Sequence, residues 1–162
     1  MKRIILIIVS TILFAVSAFS QSGSALYKKY SDEKGVEAVY ISSAMFRLIG
    51  RLPDLEIGDE DVNIAPVIKM LSGFFVLSTE NPSISERLYK DVSDYVKKGK
   101  FELLMEVKDD GEVMRMYTVT DKEMIKSFVM VETEGSETNV ICFDGKIPRA
   151  ELDKLLSSAM KN

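Results

Sequence analysis

Histidine is absent from the chain, as is tryptophan, and cysteine occurs once, at Cys142. Without histidine there is no imidazole triad, no histidine metal ligand and no proton shuttle titrating near neutrality. A single cysteine excludes an intrachain disulfide and the C-x-x-C motifs of redox and zinc sites, so stability has to come from packing. No G-x-x-x-x-G-K-[ST] loop, G-x-G-x-x-G turn or G-x-S-x-G elbow occurs. Proline is scarce, with four in all, and the only long apolar run is Ile4–Phe19.

That run follows Met1-Lys2-Arg3 and is interrupted by Ser10, Thr11 and Ser17. At about 16 residues it is short for a bilayer span, which takes ~20. Its basic start and the small residues around Ala18-Phe19-Ser20 have the pattern of a cleavable secretory signal over residues 1–20. No cysteine follows it to carry a lipid. Cleavage after Ser20 leaves 142 of the 162 residues, enough for one domain with a true core. It also removes Lys2 and Arg3, which takes the formal net charge from −4 to −6. An acidic exported domain of this kind is expected in the periplasm or outside the cell. It has no membrane span after cleavage and is a poor partner for nucleic acid.

What is present is dominated by residues 101–143. Phe101, Leu103, Met105 and Val107 alternate with Glu102, Leu104, Glu106 and Lys108, the period of a strand. Asp110-Gly111 then marks a two-residue type I′ hairpin, and Gly135-Ser136 a type II′ one. These turns set the register. Met105 faces Met116, Val107 faces Met114 and Glu106 faces Arg115. Further on, Phe128 faces Phe143, Val129 faces Cys142 and Met130 faces Ile141. A four-stranded antiparallel meander follows.

Ahead of it, residues 21–24 read as a disordered lead-in to a single domain over 25–160. Ala25–Ser31 reads as a short helix, Val36–Ile41 as a strand, and Met45, Phe46, Leu48, Ile49 and Leu52 as one helical face. Pro53–Asp61 is an acidic loop. Asn63 caps a short helix with Pro66 in its first turn and Val67, Ile68 and Leu71 turned inward. Phe74–Ser78 is a second strand. Ser83-Ile84-Ser85-Glu86 matches a capping box, with Ile84, Leu88, Val92 and Tyr95 forming a stripe and Gly99 the stop. Pro148 opens a last helix with Leu152, Leu155, Leu156 and Ala159 on one side. Strands and helices that segregate in this way imply an α+β two-layer sandwich, a mainly antiparallel sheet with amphipathic helices on one face.

Candidate sites are few, and no catalytic, cofactor or metal residue is expected. Asp59-Glu60-Asp61-Val62-Asn63 imitates the start of a calcium loop, but Ile64 and Met70 stand where glycine and glutamate are needed. Glu102, Glu106 and Glu132 lie on strands and are the carboxylates an acid–base enzyme would use. Lys97-Lys98-Gly99-Lys100 is accounted for by the negative end of a helix. Cys142 and the cluster of methionines read as core.

The feature that does not fit a simple domain is the sheet's second face. If the bulkier set (Phe101, Leu103, Met105, Met116, Phe128, Met130, Ile141 and Phe143) lies beneath the helices, then Leu104, Tyr117, Val119, Val129, Val131 and Val140 face the other way. Arg115 then stands at their edge. That set is expected to bind something or to be covered by a terminal segment. The partner expected is an envelope protein, a small apolar ligand or a second copy of the chain. An enzyme relying on carboxylates alone and a periplasmic folding or assembly factor are the alternatives.

Leu26-Tyr27-Lys28-Lys29-Tyr30-Ser31, Val39–Phe46, Phe101-Glu102-Leu103-Leu104 and Asp144-Gly145 resemble a family of small exported Gram-negative envelope proteins, domain of unknown function 4252, over roughly residues 24–160. The resemblance implies an exported domain with no assigned activity and no functional residue to carry over. Many such envelope proteins are tethered through a lipidated cysteine that this chain lacks.

Overall fold

The computed structural model describes residues 23–49 and 65–151. The signal over 1–20, Gln21 and Ser22, the acidic loop with Asp59–Asn63, and Leu152, Leu155, Leu156 and Ala159 lie outside them. In chain order the elements are α1 (Gly23–Tyr30), β1 (Glu37–Ser42), α2 (Ser43–Ile49), α3 (Ala65–Ile68), β2 (Leu71–Thr79), α4 (Pro82–Lys98), β3 (Glu102–Asp109), β4 (Glu112–Asp121), β5 (Met124–Glu134) and β6 (Glu137–Pro148). The fold is α+β. Its sheet has six strands in the order β1-β2-β6-β5-β4-β3, all neighbours antiparallel. The meander β3–β6 is therefore two-thirds of a wider sheet, completed by β1 and β2 along the free side of β6.

The hairpins form where the turn chemistry places them. Asp110 and Gly111 both have positive φ, 39° and 95°, as a type I′ turn requires. Gly135 is positive at 55°. All six expected facing pairs occur, from Met105–Met116 to Met130–Ile141. Four irregularities were not foreseen, in β2–β6, β3–β4, β4–β5 and β5–β6; in β3–β4 the register slips between Leu103 and Met105, so Leu104 is an extra residue. A bulge of this kind moves Leu103 to the opposite face from Met105.

The helix boundaries move slightly for local reasons. α1 begins at Gly23, inside the expected lead-in. α4 is capped by Asn81, not Ser83: Asn81 Oδ1 accepts from the backbone N–H of Ser83 (3.1 Å) and Ile84 (3.4 Å), and Pro82 takes the first helical position. At its other end Gly99 has an ordinary helical φ of −75°, and Lys100, at 55°, is the left-handed residue. Glycine is needed at 99 for another reason. A Cβ there would stand 2.5 Å from the Phe101 ring, which folds back onto Tyr95. Pro148 still belongs to β6, and the helical turn starts one residue later.

The core lies between one face of the sheet and α1 with α4. Ile84, Leu88, Val92, Tyr95 and Val96 from α4, with Leu26 and Tyr30 from α1, meet Phe75, Leu77, Val129, Val131, Val140 and Cys142. This overturns the assignment of faces. Val129, Val131 and Val140 are buried, at 0%, 3% and 1% exposure, and Tyr117 packs against the same cluster. The reason is volume. The helices and β2 contribute the large side chains (Tyr30, Leu88, Tyr95, Phe75), so β5 and β6 supply short residues, mainly valine, for the two layers to close without voids. Met116, Phe128, Met130, Ile141 and Phe143 belong to the other side.

Candidate functional site

Alternation along β1, β2, β6, β5, β4 and β3 brings one apolar residue from each strand into register on the second face. The row runs Val39–Val76–Ile141–Met130–Met116–Met105, each neighbour a direct cross-strand pair. Beside it runs Ile41–Phe74–Phe143–Phe128–Thr118, and on its other flank Glu37–Ser78–Asn139–Glu132–Met114–Val107. With strands ~4.8 Å apart, the apolar row crosses about 24 Å of sheet. Phe128 and Phe143 stack with ring centroids 4.8 Å apart. None of these side chains joins the core cluster. Phe74, Val76, Phe128, Met130, Ile141 and Phe143 are half-buried, while Val39, Met105 and Val107, at the two edges, are 50%, 42% and 41% exposed.

A face of this composition is flat, wide and deformable. The thioethers of Met105, Met114, Met116 and Met130 have several rotatable bonds and polarizable sulfur, which let them adapt to a partner's contours. The expectation that the methionines fill the core is therefore corrected for these four. One long flank is acidic and polar, through Glu37, Glu132 and Asn139. Glu132 and Glu134 beside Glu112 raise the Glu112 carboxyl above its ordinary range, through a hydrogen bond and like charge.

The residues first proposed for the open face are dispersed. Val129, Val131 and Val140 are core, and Tyr117 is half-buried under α4. Val119 is half-buried near the bulge at the end of β4. Arg115 lies on the helix side, donating to Glu106 Oε2 (2.6 Å) and to Tyr89 Oη (2.6 Å). Only Leu104 is strongly exposed, at 56%, on the bulge of edge strand β3.

The carboxylates do not assemble an acid–base pair. Glu106 points to the helix side, where hydrogen bonds from Lys108 and Arg115 hold its carboxyl below the usual range. Glu132 is on the opposite face, against Asn139. Ser85, Ser127 and Thr138 are buried polar residues, and the Asp144 carboxyl is drawn partly into the interior beside Ser127. Burial raises that carboxyl, although Ser127 Oγ (2.7 Å) and the Gly23 N–H donate to it. Tyr95 Oη reaches the same serine at 3.4 Å, so this network ties the start of α1 to the sheet. Cys142 is fully buried, and burial pushes its thiol far up, which makes it inert at neutral pH.

Between α1 and α4 lies a cleft of about 190 Å³ that includes Lys29, Asp91, Asp94 and Lys98. It is smaller than the ~300–1,000 Å³ of ordinary ligand sites. Its Lys29 is already paired with Asp91, which also accepts from Tyr30 Oη at 2.6 Å. Among the described residues no group of three or more acidic, cysteine or histidine side chains is placed to hold a metal, and no helix is long and apolar enough to cross a membrane.

Comparison with known proteins gives one match. The profile of a family described as Domain of unknown function (DUF4252) matches residues 28–155. No curated protein and no solved structure matches the chain.

Proposed function

The chain belongs to the DUF4252 family, and from that premise, which carries no chemistry of its own, we propose that it is an exported, non-catalytic domain of the Gram-negative envelope. It binds a protein partner through the second face of its sheet. The observation that supports this reading is the unbroken apolar row Val39–Val76–Ile141–Met130–Met116–Met105, half-exposed along its length. An antiparallel sheet with one side on a core ordinarily turns polar residues outward. An apolar surface of several hundred Å² is in the range that monomers conceal or use. A flat row suits a protein surface better than a small ligand, which would need a concavity. The four methionines also favour an assembly-factor form of the same reading, in which several clients share one adaptable face.

A photo-reactive residue at Ile141, compared with one at Glu86 on the outer side of α4, tests this in the envelope. Adducts from Ile141 and none from Glu86 are expected, with one band for a dedicated partner and several for an assembly factor. No adduct from Ile141, or the same bands from both positions, would overturn it. Export is tested separately by intact mass of periplasmic protein, which should begin near Gln21; a mass retaining Met1–Ser20 contradicts that part alone.

A further inference from the structure

Among the described residues the sheet ends on β3, and β3 is a long, exposed edge. All eight of its residues are exposed, and Leu103, Leu104, Met105 and Val107 are 41–56% exposed. Natural edges are blunted by proline, by charged side chains, by shortness or by bulges. β3 has no proline, its one bulge, at Leu104, leaves Met105–Asp109 continuously paired, and its protection is the charges of Glu106 and Lys108. Asp109 and Glu112 flank the two-residue turn and form its closing pair. Alternation then directs the N–H and C=O of Asp109, Val107 and Met105 toward β4. Those of Lys108 and Glu106 point outward, with no strand beyond them among the described residues.

We infer that β3 pairs with β3 of a second copy of this chain, antiparallel about a two-fold axis through Val107. The charges select this register. An axis through Glu106 sets two glutamates face to face, and one through Lys108 does the same with lysines, both penalised in cross-strand positions. An axis through Met105 draws the Leu104 bulge into the new ladder and loses the match of faces. With the axis at Val107, the outward groups of Glu106 meet those of the partner's Lys108, and the reverse, so both hydrogen-bonded pairs are also opposite-charge pairs. Val107 meets its own copy as the close, non-hydrogen-bonded pair between them. The occupant is therefore a second copy, because this segment is complementary to itself. The product is a continuous twelve-stranded sheet, an isologous and closed assembly, in which the apolar second faces of the two copies join edge to edge. This pairing does not depend on the proposed partner binding.

Two measurements on the purified chain test it. Val107→Cys should form a covalent dimer under mild oxidation, because a non-hydrogen-bonded cross-strand pair brings Cα atoms to ~4.5 Å, within disulfide range. Cys142 is buried and should not interfere. Glu106→Cys and Lys108→Cys alone should not self-link. By sedimentation, Lys108→Glu and Glu106→Lys should each weaken self-association about tenfold or more, while an equimolar mixture of the two variants restores it as a heterodimer. The inference is overturned by a wild-type chain that remains monomeric into the hundreds of micromolar. It is equally overturned by a dimer that Val107→Cys does not trap, or by one indifferent to both charge reversals. Pairing of β3 with a foreign peptide instead would appear as a monomer with no rescue on mixing, and it too would overturn it.

Discussion

Asp91 shows how single residues hold the helical layer together. It accepts from Lys29 Nζ and Tyr30 Oη, both on α1, while its own backbone belongs to α4. Burial works against its ionisation, but those hydrogen bonds outweigh it and the carboxyl lies below its ordinary value. A carboxylate with a lowered folded-state pKa stabilises above the unfolded pKa and stops doing so as pH falls through the folded value. Asp91→Asn should therefore cost about 1–2 kcal/mol at pH 7, with the gap to wild type narrowing as pH falls below the ordinary aspartate range, as read by urea denaturation across that range. The turn at Asp110-Gly111 is the second residue-scale determinant. Both residues have positive φ, which proline cannot adopt and a β-branched residue resists. Asp110→Pro or Gly111→Val should lower stability by more than about 1 kcal/mol, and unchanged denaturation midpoints in both would refute the hairpin's role. This turn was fully legible in the sequence, because a two-residue loop fixes both φ signs and register in one step.

Among the elements, α4 was legible along its buried face and less so at its ends. Ile84, Leu88, Val92 and Tyr95 face the core because helical spacing leaves them no alternative. The cap is where pattern and geometry part. Ser83-Ile84-Ser85-Glu86 satisfies the capping box as a string, yet Asn81-Pro82 upstream offers a stronger cap joined to a proline at the first position. Asn81→Ala should cost about 1 kcal/mol in thermal or urea unfolding, and Ser83→Ala only a few tenths. The reverse ranking would restore the capping box. The bulge at Leu104 left no trace in the sequence. One inserted residue in an alternating strand looks the same as uninterrupted alternation until the partner strand is present. It puts Leu103 opposite Tyr117 and so on the other face from Met105, with which the alternation had grouped it.

At the scale of the molecule, the sequence disclosed that both faces of the sheet are apolar but not which one the helices cover. Alternation has period two and is blind to the sign of the face. Side-chain bulk pointed the wrong way, because a core is filled by the sum of both layers and the helices already brought the large residues. The candidate surface was thus foreseen as a kind of surface and misplaced by one residue along β4, β5 and β6. That one-residue offset is also the sharpest place to test the account. Met130 and Val131 are adjacent on β5, pairing with Ile141 and Val140 on opposite faces. Equilibrium urea denaturation of Met130→Glu and Val131→Glu compares the two faces directly. A glutamate at Val131, 3% exposed, buries an unpaired charge under α4 and should cost at least about 3 kcal/mol or prevent folding. A glutamate at Met130, half-buried on the second face, should cost no more than about 1 kcal/mol and leave a cooperative transition. Equal losses, or a greater loss at Met130, would contradict an open second face.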